Sequence, residues 1–124
     1  MLGDKEIYGR FYANIDDKNR LCLPAKTGVE YGEELLIVST GYSKYVVNRD
    51  FYLSYLAGIK EQLRYPVSKD QFQDLWNLYE DLCEMVIKSC KADKQHRILV
   101  TDIYTPDMGR AEMMGVGKAL KLLS

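Results

Sequence analysis

The sequence predicts an α+β domain in which two strand-rich halves of related sequence are joined by a pair of helices. Three observations carry that reading. The segment Ile15-Asp16-Asp17-Lys18-Asn19-Arg20-Leu21-Cys22-Leu23 returns 77 residues later as Ala92-Asp93-Lys94-Gln95-His96-Arg97-Ile98-Leu99-Val100. The strand candidates before it also match, Tyr8 to Ile15 with Met85 to Ala92. Between the copies, apolar residues fall at spacings of three and four, as in a helix, rather than alternating as in a strand. Two copies at so long a period point to a pseudo-two-fold domain, since a solenoid would need at least three units of about 20 to 50 residues.

Each repeated unit reads as a strand, a tight turn holding Asp and Arg, and a second strand. After the first unit, Pro24 ends the strand and Ala25 to Gly32 suggests one or two helical turns stopped by Gly32. Leu35 to Val47 then reads as a hairpin turning at Gly41, with a shorter echo in Met113 to Leu123 around Gly117. Asp50 suits the N-cap of a helix from Phe51 to about Leu63, with Tyr52, Tyr55, Leu56, Ile59 and Leu63 on one face; Pro66 closes that segment. Ser68 and Gln71 have capping-box spacing for a second helix, whose stripe is Phe72, Leu75, Trp76, Tyr79, Leu82 and Cys83. These aromatics are expected in the core. Pro106 predicts a broken turn across Asp102 to Gly109. The halves therefore cover about residues 7–49 and 84–124, with connecting helices at about 50–83.

At 124 residues and 47% apolar composition, one domain is expected. No stretch is long and apolar enough to span a bilayer, and the N-terminus has no apolar signal core, so a cytoplasmic location with no membrane partner is expected. Cys22, Cys83 and Cys90 are an odd count without paired spacing; they are read as buried thiols, not as disulfides. The net charge of −1 conceals a division: residues 50–84 hold seven acidic and three basic groups, whereas residues 85–97 hold one acidic and four basic. A near-neutral total can hide a basic face, although solvated surface alone would give the same count.

With Asp16 and Arg20 in one half and Asp93 and Arg97 in the other, each in an Asp-x-x-x-Arg motif between matched strands, the chain resembles the MraZ family of bacterial transcriptional regulators. That family is related to the AbrB-like swapped-hairpin DNA-binding domains. The resemblance extends over nearly the whole chain, most strongly at Asn14 to Leu21 with Pro24-Ala25-Lys26, and at Asp93 to Leu99. It implies a double-split β-barrel of two βαββ-like halves, a homo-oligomeric ring, and a nucleoid-associated repressor of its own division and cell-wall gene cluster, bound to tandem repeats in double-stranded DNA. Asn19 and His96 stand where the family usually has glycine; His adopts a left-handed backbone less readily than Asn, so distortion is expected at the second turn. Thr27-Gly28 replaces a Phe-Arg pair common in relatives, and the sequence stops at Ser124 without the C-terminal helix many of them carry.

An arginine on a rigid turn suits DNA either as a bidentate donor to guanine or as a phosphate clamp. Arg20 and Arg97 are the expected principal contacts, oriented by Asp16 and Asp93. Lys18, Lys94, Lys91 and His96 are expected at flanking phosphates, with Lys26 and Arg10 as weaker candidates. An Asp–Arg pair that merely stabilises its own turn is the plain alternative. No catalytic signature surrounds the one histidine, and Gly115-Val116-Gly117 lacks the context of a nucleotide loop, so neither an enzyme nor a small-molecule substrate is expected. No cofactor is implied, and the cysteines lack zinc-ligand spacing. A protein-interaction module that kept this fold but lost DNA remains the alternative function.

Overall fold

The computed structural model describes residues 1–123; the last residue of the second half, Ser124, lies outside them. The first half contains β1 (Ile7–Asn14), β2 (Arg20–Cys22), a 3-10 turn (Ala25–Thr27), β3 (Glu34–Ser39) and β4 (Lys44–Asn48). Two helices follow, α1 (Arg49–Gln62) and α2 (Lys69–Glu84). The second half contains β5 (Val86–Lys91), β6 (Arg97–Leu99), a 3-10 turn (Asp107–Gly109), β7 (Arg110–Gly117) and β8 (Leu120–Leu123). The fold is α+β. Among the described residues no helix is long and apolar enough to cross a membrane.

The sequence repeat becomes a structural two-fold. Six strands form an antiparallel sheet in the order β1-β7-β8-β4-β3-β5, which reads the same in reverse when each strand is exchanged for its counterpart in the other half. The first strand of each half pairs with the hairpin of the other: β1 with β7, β5 with β3. Even the registers correspond, Phe11 opposite Met113 in one half and Lys88 opposite Ile37 in the other. β2 and β6 form a separate two-stranded ribbon. No ladder joins β1 to β5 among the described residues, so the sheet is not closed by hydrogen bonds.

Burial explains the apolar patterns. Leu35 and Ile37 face the main core with Leu21, Leu23, Val46, Ile98, Val100 and Met113, while Leu36, Val38 and Val47 face Tyr52 and Leu56 of α1. Covered on both faces, the centre of β3 from Leu35 to Val38 is apolar without alternation. The opposite end differs: Tyr8, Tyr12 and Val116 of β1 and β7 are exposed.

Several expectations need correction. The cap of α1 is Asn48, not Asp50; its side chain accepts from Phe51 N at 3.0 Å, and the helix starts two residues earlier than expected. Asn48 also donates to the buried Glu33 carboxylate at 3.0 Å, a role an aspartate could not share. Gly28, not Gly32, stops the turn after Pro24, in a left-handed conformation with φ of 70°. That turn is three residues of 3-10 helix, and Asp107–Gly109 is its counterpart, so among the described residues a 3-10 turn stands in each half where a βαββ unit has an α-helix.

Ser68 does cap α2, accepting from Gln71 N at 3.1 Å, but the Gln71 side chain accepts from Val67 N instead of returning to Ser68. On α1, Tyr52, Leu56 and Ile59 are buried whereas Tyr55 is exposed. On α2 no residue is buried, and Phe72 and Trp76 are exposed, because only the inner edge of its stripe reaches the sheet. Cys22 and Cys83 are exposed and Cys90 half-buried, so buried thiols is wrong for two of three: Cys22 alternates outward beside the inward Leu21, and Cys83 lies on the outer edge of α2.

Candidate nucleic-acid interface

An aspartate followed by three polar residues can close a turn by accepting amide hydrogens that the turn leaves unpaired. Asp16 Oδ1 does so for Lys18 N at 3.0 Å and Arg20 N at 2.9 Å, and its Oδ2 accepts Arg20 Nε at 2.7 Å. Asp93 repeats the pattern: Oδ1 takes Gln95 N and Arg97 N, both at 2.9 Å, and Oδ2 takes Arg97 Nε at 2.8 Å. Asn19 and His96 have φ of 59° and 61°. The distortion expected at His96 is therefore absent. Backbone and carboxylate bonds hold the left-handed residue in the same place in both turns.

Burial pushes both carboxyls up. The backbone and side-chain donors of Arg20 and Arg97, with the amides of Lys18 and Gln95, outweigh it and hold Asp16 and Asp93 below their ordinary value of 3.8. Each pair is thus a charge-assisted hydrogen bond at neutral pH.

The ribbon places the two turns on one face. Leu21 pairs with its own repeat counterpart, Ile98, and both point into the core. Arg20 is opposite Leu99 and Cys22 opposite Arg97, so these four side chains share the outward face. Leu23 N donates to His96 O and Val100 N to Asn19 O, each at 2.8 Å, which ties each strand to the other turn. Side-chain exposures of 30% for Arg20 and 24% for Arg97 leave both side chains partly open to solvent while an aspartate holds each Nε. Arg97 Nη1 additionally reaches Asp16 Oδ2 at 3.5 Å. No corresponding contact runs from Arg20 to Asp93 among the described residues.

The remaining candidates divide. Lys18, Lys94 and His96 are exposed in the turns, and Lys94 Nζ lies 5.7 Å from the centre of the Tyr31 ring. Lys91 lies on β5, 3.9 Å from Glu34, and Arg10 lies on β1, 2.5 Å from Glu112; both are on the sheet rather than in the turns and already face a carboxylate. Lys26 is exposed in the first 3-10 turn. Cys22 and Leu99 were not among the candidates, although their alternation with Leu21 and Ile98 places them beside the arginines. Among the described residues no group of three or more His, Cys, Asp or Glu is placed to hold a metal ion.

The arrangement offers two pre-oriented guanidinium forks, related by the local two-fold, on a narrow two-stranded ribbon. No known protein-family model matches this chain, and no curated protein matches it significantly.

Proposed function

We propose that the chain is a sequence-specific DNA-binding transcriptional regulator that works as a homo-oligomer on tandem repeats in double-stranded DNA. The single observation carrying this reading is the pair of near-identical Asp–Arg turns on one face of the β2–β6 ribbon. A two-stranded ribbon fits the major groove, where an arginine fork matches guanine O6 and N7. Holding Nε with an aspartate leaves the terminal nitrogens of Arg20 and Nη2 of Arg97 for the base, Arg97 Nη1 being shared with Asp16, and reduces the side-chain entropy lost on binding.

The exchanged strand pairing, β1 with β7 and β5 with β3, supports the double-split barrel that the MraZ resemblance implies. On the same resemblance we place the protein at the nucleoid in the cytoplasm, repressing its own division and cell-wall cluster. One subunit supplies few contacts, so several subunits on successive repeats raise affinity through effective concentration.

The test is selection of bound fragments from random duplex DNA by the intact protein, followed by a salt titration on the selected fragment. Recovery of a common motif whose affinity falls steeply with salt is expected, because phosphate contacts release counterions. Failure to enrich any motif refutes the reading. One observation favours a protein-interaction module instead: the aspartates neutralise both arginines, and Asp17 offsets Lys18 beside them. Binding to no DNA by a folded oligomer would select that alternative.

A further inference from the structure

We propose that the outward face of the α1–α2 hairpin is a docking surface for a basic amphipathic helix of another protein. α2 is sixteen residues long and buries none of them completely. Tyr79 and Leu82, on its inner edge, pack against the cluster of Tyr52 and Leu56, and Tyr52 OH donates to Leu82 O at 2.6 Å. The outer edge is only partly covered by the described residues: Phe72 and Trp76 are 42% and 39% exposed. Their rings are already ordered, Phe72 on Trp76 at 6.4 Å and 3°, Trp76 on Tyr79 at 5.9 Å and 22°. Residues 72, 76 and 83, with the half-buried Tyr79 as their inner margin, follow the four, three and four spacing of a seam along which one helix receives another. At its N-terminal end this seam opens into a shallow groove of about 470 Å³ lined by Pro66, Ser68, Lys69, Phe72 and Gln73.

Charge decides the occupant. Asp70, Asp74, Glu80, Asp81 and Glu84 of α2 take part in no ion pair among the described residues. Residues 50–84 carry seven acidic against three basic groups. A second copy would set this acidic face against its own kind, and an anionic lipid surface would be repelled. A helix with apolar residues along one stripe and Lys or Arg beside it satisfies both the aromatic seam and the unpaired carboxylates. This face lies on different elements from the ribbon and does not depend on DNA binding.

Trp76 is the one tryptophan in the chain, so its emission reports directly on the seam. The full chain is titrated with a synthetic helical peptide of leucine and lysine heptads, and with an isomer carrying glutamate for lysine. A saturable blue shift with the basic peptide alone is expected, with affinity falling about tenfold or more between low and high salt. Phe72→Glu should abolish the shift. Glu80→Lys with Glu84→Lys, solvent-facing and compatible with folding, should weaken the basic peptide and admit the acidic one, with the circular dichroism unchanged. The proposal is overturned by no shift with the basic peptide, by equal shifts with both peptides, or by indifference to the Glu80 and Glu84 changes. A shift on concentrating the protein alone would assign the face to a second copy, and one with anionic vesicles to a membrane; either also overturns it.

Discussion

Arg97 Nη1 lies 3.5 Å from Asp16 Oδ2, so one carboxylate of the first turn holds an arginine from each half. Among the described residues Asp93 pairs with no arginine but Arg97. The local two-fold is therefore broken in its chemistry: losing Asp16 releases Arg20 and loosens Arg97, whereas losing Asp93 leaves Arg97 with its contact to Asp16. Asp16→Ala should lower the thermal midpoint and weaken DNA binding more than Asp93→Ala. Equal effects in parallel melts and titrations would show that the cross-half contact is unimportant.

Both carboxyls are held below 3.8, which fixes the sign of their pH dependence. Their contribution to stability is complete above the unfolded-state value and is lost as pH falls through the lower folded-state value. Wild-type protein should lose thermal stability with acid more steeply than Asp16→Asn/Asp93→Asn across that window. Thermal melts in a pH series, with the two curves remaining parallel, would contradict this.

Asn48 caps α1 and donates to Glu33, whose carboxylate also accepts Leu2 N at 3.0 Å and Glu30 N at 3.1 Å. Asn48→Ala should cost about 2–4 kcal/mol, from the lost cap and a weakened buried carboxylate network. Asn48→Asp, ordinarily an equivalent cap, should fare no better because it faces Glu33. Denaturant unfolding checks both; a wild-type midpoint for the aspartate variant would remove Glu33 from the explanation.

The close pairing of β1 with β7 depends on Gly115. A Cβ there would stand 2.7 Å from the Ile7 carbonyl carbon and oxygen, and backbone cannot yield as a side chain does. Gly115→Ala should destabilise by about 2–3 kcal/mol, or prevent folding. A stability loss below about 0.5 kcal/mol in denaturant unfolding would show that the strands separate easily.

What was legible in the sequence follows physical locality. The Asp–Arg turns, both hairpins and both helices rest on local signals: a side chain reaching amides two and four residues on, glycine at a turn, apolar spacing. Strand exchange between halves was not legible, because β1 carries nothing to say which hairpin it joins. The fate of the α2 stripe was equally hidden. Periodicity locates an apolar face, but whether anything covers Phe72 and Trp76 depends on how far the sheet extends beneath the hairpin. The cap was missed because Asp50 and Asn48 are equally good locally, and buried Glu33, fifteen residues away from Asn48, explains the preference. At the candidate interface the sequence identified the four paired residues, but not that strand alternation places Cys22 and Leu99 beside them.

The most direct measurement replaces the fork while keeping its charge. Titrating the selected DNA fragment and an unrelated duplex with Arg20→Lys, Arg97→Lys and the double variant separates base recognition from simple attraction. Each single change should reduce the preference for the selected fragment by about tenfold or more, and the double change should erase it, while binding to the unrelated duplex persists. Undiminished affinity and preference in the double variant would contradict the claim that these arginines read DNA.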